Sequence, residues 1–368
     1  MSAHEIIIWL MAAFAVLGAL DRIAGNRLGL GKQFEEGILS MGALALAMIG
    51  VITLAPVLAA LLKPVVLPVF RFLGADPAMF AGTILACDMG GGALAMEMTE
   101  DPHAALLGGV LTGSMLGATV VFTIPVAMGI LRAEDRGFLA KGILCGIVTI
   151  PVGILAGGLT AGFPVGMVLR NLIPIVIIAA LIALGLWKFE KGMIRGFGIF
   201  GKGVIALITF GLAAAILEAL TGFALIPGMN PIEDGFHTVG EIAIVLAGAF
   251  PLVYVLTRLL KKPLLKLGSL LGINDTAAGG LVASLANSIA TFGLLKDMDD
   301  RGKVVNVAFA VSAAFVFGDH LGFTAGFAPG MLPAVIVGKL AGGITAVAVA
   351  LLLTRKGKDS TETEIVND

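Results

Sequence analysis

PAMFAGTILACDMGGGALAME, residues 77–97, is long enough to cross a bilayer once, yet its middle carries Asp88 followed by Gly90-Gly91-Gly92. A straight span would hold that polar, weakly helical centre in hydrocarbon. A helical hairpin entering and leaving on one side would place it at a tip. DTAAGGLVASLANSIATFGLL, residues 275–295, poses the same choice, with Asn287-Ser288 in its middle. How these two segments run decides the topology of the whole chain.

Composition names the solvent. Hydrophobic residues make up 58% of the 368 and charged residues 13%, where soluble domains carry about a quarter charged. Apolar stretches of roughly 20 residues, enough to cross about 30 Å of hydrocarbon as helix, recur from end to end. The chain reads as an all-α polytopic membrane protein. Full spans are expected near 5–20, 38–61, 104–130, 138–159, 168–187, 203–220, 238–257, 304–327 and 332–353. The N-terminal stretch lacks the basic segment and cleavage signal of a secretory peptide, and reads as the first span. Residues 63–74 and 261–272 read as short amphipathic interfacial helices, and 355–368 as a disordered polar tail. Cys87 and Cys145 lie in apolar segments and read as small buried residues, not as metal ligands or a disulfide. A net charge of -1 offers no case for nucleic acid.

Basic residues arbitrate between crossing and hairpin, because short cytoplasmic loops collect Lys and Arg. If both ambiguous segments are re-entrant, 20 of the 24 basic residues fall on one side of the membrane, leaving Lys63, Arg71 and Arg170 opposite and Lys339 within a span. If both cross, the basic loops at 131–141, 188–202 and 258–272 move outside. The hairpin arrangement is the better one. It gives nine full spans in eleven membrane segments, an outside N-terminus and a cytoplasmic C-terminus.

That arrangement exposes a repeat. At an offset of 198, Leu73-Gly74 falls on Leu271-Gly272, Gly82 on Gly280 and Ile84 on Val282. The expected organisation is a first repeat over 1–161, a linking span over 162–190, a second repeat over 191–354, and the tail. The link inverts the second repeat, so the two hairpins enter from opposite faces. An inverted repeat with broken helices is a recurring architecture of secondary transporters.

Enzyme motifs of the GxxxxGK[ST], HExxH and CxxC types are absent, so the chain does not read as an enzyme and implies no cofactor. Ionisable residues inside the membrane are the sharper signal, since a central Asp costs about 2.5–3.5 kcal/mol on insertion scales. Asp88 is the leading candidate to contact substrate or a coupling cation; the competing role is a cap on the hairpin's second helix. Asn287, Ser284, Ser288 and Thr291 supply neutral donors and acceptors, or else interhelical glue. Asp319 and His320, in FVFGDHLGFTAG (315–326), sit in the following span, with Asn306 and Ser312 nearer its start. Neighbours on a helix point about 100° apart, so the two need not form a pair. Asp319 joins the substrate candidates; His320, Glu97, Asn306 and Ser312 are candidates for coupling or gating. Glu97, with Glu100 and Asp101, would form an acidic outer vestibule or a solvated loop. No metal site is expected.

ACDMGGGALAMEM (86–98), LVASLANSIATFGLLKDMDDRGK (281–303) and FVFGDHLGFTAG together resemble the ethanolamine-utilisation permease family, EutH, over essentially the whole chain. The resemblance implies an inner-membrane permease supplying ethanolamine to a bacterial degradation pathway, with the bilayer as its other partner and a homodimer as an allowed assembly. Under it, Asp88 or Asp319 would answer the substrate's ammonium, and Asn287 or Ser288 its hydroxyl. A permease for another small polar metabolite or a nucleoside, and a non-transporting sensor or assembly subunit, stay open as alternatives.

Overall fold

The computed structural model describes residues 2–354, so the tail read at 355–368 lies outside the described residues. Among the described residues every regular element is helical and there is no strand. The elements are α1 (Ala3–Ile23), α2 (Leu30–Phe72), α3 (Ala78–Ile84), α4 (Gly91–Met98), α5 (Pro102–Ile130), α6 (Ala133–Thr160), α7 (Val165–Thr221), α8 (Ile232–Leu271), α9 (Asp275–Ala286), α10 (Ser288–Leu294), α11 (Asp300–Ala313), α12 (Asp319–Phe327) and α13 (Leu332–Leu353). Seven of the described helices are long and apolar enough to cross a membrane: α1, α2, α5, α6, α7, α8 and the last, which with its leading turn runs Pro329–Leu353. The chain is an all-α polytopic membrane protein.

Three boundaries differ from the sequence reading. The stretches read as separate interfacial helices, 63–74 and 261–272, continue α2 and α8 without a stop, past Pro64 and Pro68 in one and Pro263 in the other. A proline forfeits one helical hydrogen bond and bends the helix, but ending the helix in lipid would expose far more backbone. The spans read at 168–187 and 203–220 lie on two helices that meet without a loop, at a kink at Phe189 within α7, where φ of -135° and ψ of 44° are non-helical. The span read at 304–327 is broken between Ala313 and Asp319.

The two ambiguous segments each fold as helix–break–helix with their ends tied together. At the base of the first, the Thr99 hydroxyl donates to Asp76 Oδ2 at 2.8 Å, while Asp76 Oδ1 accepts from Ala78 N at 2.8 Å. Asn171 on α7 accepts from Asp76 N at 2.7 Å. At the base of the second, Asn274 donates from its side chain to the Asp297 carbonyl (3.0 Å) and from its backbone to Asp299 Oδ1 (2.8 Å). A buried ion pair, Lys303 Nζ to Asp135 Oδ1 at 2.7 Å, then joins the start of α11 to the start of α6.

α5 takes π-helical geometry over Leu106–Gly117 and Thr119–Thr123. The wider turn is visible in Thr112, whose hydroxyl donates to the Leu107 carbonyl five residues back at 2.9 Å. Single π turns are the usual form and favour functional sites. Here the long π segment packs against α3 and α4.

The break between α11 and α12 has a non-local cause. Phe315 N donates to the Ser284 carbonyl at 3.0 Å and Phe317 N to the Leu285 carbonyl at 2.9 Å, so this stretch spends its N–H groups on the end of α9. Phe315 pays with a left-handed φ of 62°, a strained region for a bulky side chain. A Cβ on Gly318 would collide with the Ala286 carbonyl, so glycine is what permits this approach.

Candidate functional site

The first break is built by glycine. The Ala86 carbonyl accepts from Met89 N (3.0 Å) and Gly91 N (2.9 Å), turning the chain through Cys87–Met89. Gly90 follows at φ 87°, and a Cβ there would collide with Val51 of α2. Gly90 is also the N-cap of α4, with no side-chain cap bond. The capping role weighed for Asp88 is therefore not the one it plays. Its carboxylate, 16% exposed, is left free to face α12, where His320 Nε2 lies 3.8 Å from Oδ1.

Two helix breaks thus meet at one point. His320 is buried, its ring 5.2 Å from that of Phe315, which stands edge-on to Phe122 at 5.5 Å. His320 Nδ1 has no hydrogen-bond partner among the described residues. Asp319 begins α12 and is half-buried. Of these sequence neighbours, His320 is the one set against Asp88.

The sequence places Lys339 in a span and assigns it no role; the structure brings it to this cluster. Lys339 is 1% exposed, and its Nζ donates to the Ser114 carbonyl of α5 at 2.6 Å. Gly113, the neighbour of Ser114, lies against the Cys87 backbone, which sets Lys339 beside the first break. One basic residue of 24 standing inside an apolar helix was the signal available. If Asp88, Asp319 and Lys339 are all ionised, two carboxylates face one ammonium, and one further cation balances the site.

Cys87 Sγ, an Asp88 oxygen and a His320 ring nitrogen lie within 4.8 Å of one another, a donor set a metal could use. The Lys339 ammonium beside them opposes a metal cation. Against the same break, Cys87, Gly90, Phe323, Phe327, Met48 and Ile52 line a cavity of about 40 Å³. At about 10–15 Å³ per water, it has space for roughly three water-sized groups.

The remaining candidates divide by what they already bond. Asn287 Oδ1 caps α10 by accepting from Ile289 N at 2.8 Å. Thr291 donates to the Gly280 carbonyl at 2.9 Å, tying α10 to α9. Asn306 donates to the Ala277 and Gly302 carbonyls, both at 2.9 Å. These three hold helices together. Ser284, Ser288 and Ser312 carry buried hydroxyls with no partner among the described residues, as does Asn306 Oδ1. A buried polar group without a partner costs about 1–3 kcal/mol.

Glu97 is elsewhere. It is exposed at the far end of α4, whose eight residues rise about 12 Å. With Glu100 it lines a second, open cavity of about 900 Å³. The acidic vestibule expected there is balanced by cations: Asp76, Glu97 and Glu100 share the lining with Lys63, Arg71 and Arg170.

A protein-family model described as "Ethanolamine utilisation protein, EutH" matches residues 3–353. A "Probable ethanolamine permease EutH" from Listeria monocytogenes serotype 1/2a (strain 10403S) is 60% identical over 356 residues, covering 97% of this chain and 95% of the relative. The protein so described from Escherichia coli (strain K12) is 49% identical over 402 residues, 99% of this chain and 98% of its own length. An uncharacterised Bacillus subtilis (strain 168) protein, YxeR, is 52% identical over 354 residues, 96% of each chain. No solved structure matches the chain.

Proposed function

The chain belongs to the EutH family of ethanolamine-utilisation proteins, and we propose that it is a permease importing ethanolamine across a bacterial inner membrane. It acts as a secondary transporter or facilitator feeding ethanolamine degradation, and not as an enzyme. The observation that carries the reading is the set of ionisable side chains at the paired breaks: the Asp88 carboxylate 3.8 Å from His320 Nε2, Asp319 beside that histidine, and the buried Lys339 on the Ser114 carbonyl. When Asp88, Asp319 and Lys339 are charged, two carboxylates stand to one ammonium, and a small protonated amine completes the balance. Asp88 takes the substrate ammonium. The unpartnered hydroxyls of Ser284, Ser288 and Ser312, with the Asn287 amide, are the groups available to its hydroxyl end. His320, against Asp88, is placed to couple or gate.

Alternating access follows from the topology we assign: nine full spans and two re-entrant hairpins, 77–97 and 275–295, in an inverted repeat of 1–161 and 191–354 about a link at 162–190. Support comes from the tied ends. Asp76 meets Thr99 at the base of the first hairpin, and Asn274 meets Asp297 and Asp299 at the base of the second. α5 separates Thr99 from Asp135 by 29 helical residues, about 40 Å. Asp135 in turn is paired with Lys303, beside the second base. The two bases thus lie at opposite ends of α5, as hairpins entering from opposite faces require. The 198-residue offset also maps one packing contact onto another: Gly82 abuts Gly108, and Gly280 abuts Asn306. Counting basic loops as cytoplasmic puts the N-terminus outside and the C-terminus inside.

The test is uptake of labelled ethanolamine into proteoliposomes containing the purified protein, with unlabelled competitors. Saturable uptake, displaced by ethanolamine and not by a nucleoside, is expected. Uptake no faster than into protein-free liposomes, or equal displacement by a nucleoside, overturns the assignment.

A further inference from the structure

The 900 Å³ cavity is independent of the Asp88 cluster, at the opposite end of α4. Three of its residues, Lys63 and Arg71 on α2 and Arg170 on α7, are the only basic residues that the charge count leaves on the outer side. Among the described residues, none of the three has an ion-pair partner within 4.0 Å. The three cations share the cavity with Asp76, Glu97 and Glu100 without closing an ion pair, so their donors stay open to an anion, and basic pockets between membrane helices bind lipid head groups in this way.

The cavity also carries carboxylates. Asp76 is committed to Ala78 N and the Thr99 hydroxyl. Glu97 and Glu100 have no such bonds among the described residues and remain for a cation. A ligand matching both sets bears a phosphate and, a short distance away, an amine.

The helix supplying two of the cations shows where the rest of that ligand lies. Over 61–72, α2 has three faces. Val66 and Phe70 are buried; Lys63, Leu67 and Arg71 line the cavity; Leu61, Val65, Val69 and Phe72 point outward, Phe72 being 90% exposed. An apolar strip therefore runs beside the charged one, as acyl chains attached to a head group in the cavity would need.

We propose that this cavity is a binding site for an aminoalkyl phosphate head group, that of phosphatidylethanolamine, with phosphate on Lys63, Arg71 and Arg170 and the ammonium on Glu97 and Glu100. Arg suits this role because its planar fork engages phosphate oxygens in pairs.

Native mass spectrometry of the purified full chain in detergent, titrated with lipids of one acyl composition, tests it. The probes are phosphatidylethanolamine, phosphatidylglycerol and phosphatidylcholine, with soluble phosphoethanolamine as competitor. Phosphatidylethanolamine is expected to bind one per chain, at least tenfold tighter than the other two. Lys63→Ala with Arg170→Ala is expected to weaken it at least tenfold, and Glu97→Gln with Glu100→Gln to erase its advantage over phosphatidylglycerol. Arg71→Gln, a milder single change, serves if the double variant does not fold, and is expected to weaken binding several-fold. Equal or tighter binding of phosphatidylglycerol to the unaltered chain overturns the zwitterion match. Unchanged lipid binding by a folded cation variant overturns the site. Displacement by phosphoethanolamine at concentrations matching the lipid's own affinity overturns the lipid and assigns the cavity to a soluble ligand.

Discussion

Asp88→Asn isolates the charge at the first break with almost no change of shape. Asp88 makes no cap bond, so the substitution leaves α4 as it was. What it removes is a carboxylate oxygen 3.8 Å from His320 Nε2, and with it the negative charge offered to the substrate ammonium. A carboxylate and an ammonium about 4 Å apart attract by about 4 kcal/mol at an effective dielectric constant near 20. Stripping water from the ammonium takes back part of that, leaving about 1.5–3 kcal/mol for a charged hydrogen bond. At 1.4 kcal/mol per factor of ten, ethanolamine affinity should fall roughly 10- to 150-fold. The assay is initial uptake by proteoliposomes over a range of ethanolamine concentrations, with the rate into empty liposomes subtracted to remove permeation of the neutral amine. Thermal unfolding in detergent checks that the variant folds. A large rise in KM, or loss of the saturable component, is expected. A folded Asp88→Asn protein with the KM and maximal rate of the original removes Asp88 from the site and takes the charge-balance argument with it.

The other predictions follow from named contacts. Asp319→Asn should also lose most saturable uptake in the same assay, and full uptake would leave Asp319 a purely structural residue. Lys339→Met leaves two carboxylates without their internal ammonium, so KM should fall several-fold while the maximal rate drops, as substrate leaves more slowly; a raised KM contradicts the role given to Lys339. Asp76→Ala removes the bonds to Ala78 N and Thr99 and should cost about 2–3 kcal/mol of stability, read as a lower unfolding temperature in detergent. In a background with Cys87 and Cys145 replaced by alanine, Glu100→Cys should label from the outside and Lys296→Cys from the cytoplasm. The same sidedness for both sinks the inverted arrangement.

How much of this was legible depends on whether the cause is local. The break at Asp88 is written in adjacent residues: three glycines, one at φ 87° and two packed tightly, with Ala86 closing the turn. Hydropathy and glycine therefore suffice to find it. The break at Ala314–Gly318 leaves no such trace, because AAFVFG is as apolar as any span. Its cause lies 31 residues upstream for one bond, where the Ser284 carbonyl accepts from Phe315 N, and no window along the sequence contains both partners. The same distinction separates the polar residues. Asn287 and Thr291 offer ligand chemistry in the sequence; the fold adds that Asn287 Oδ1 caps α10 and that the Thr291 hydroxyl ties α10 to α9. Lys339 is the reverse: a lone charge among alanines and glycines whose partner, the Ser114 carbonyl, is 225 residues away. Sequence can say that such a charge in hydrocarbon must be answered, but only the fold says by what. That is why Asp88 gains weight here. A carboxylate at a helix start is ordinarily a cap, and this one is free because Gly90 took that position and left its oxygens facing His320.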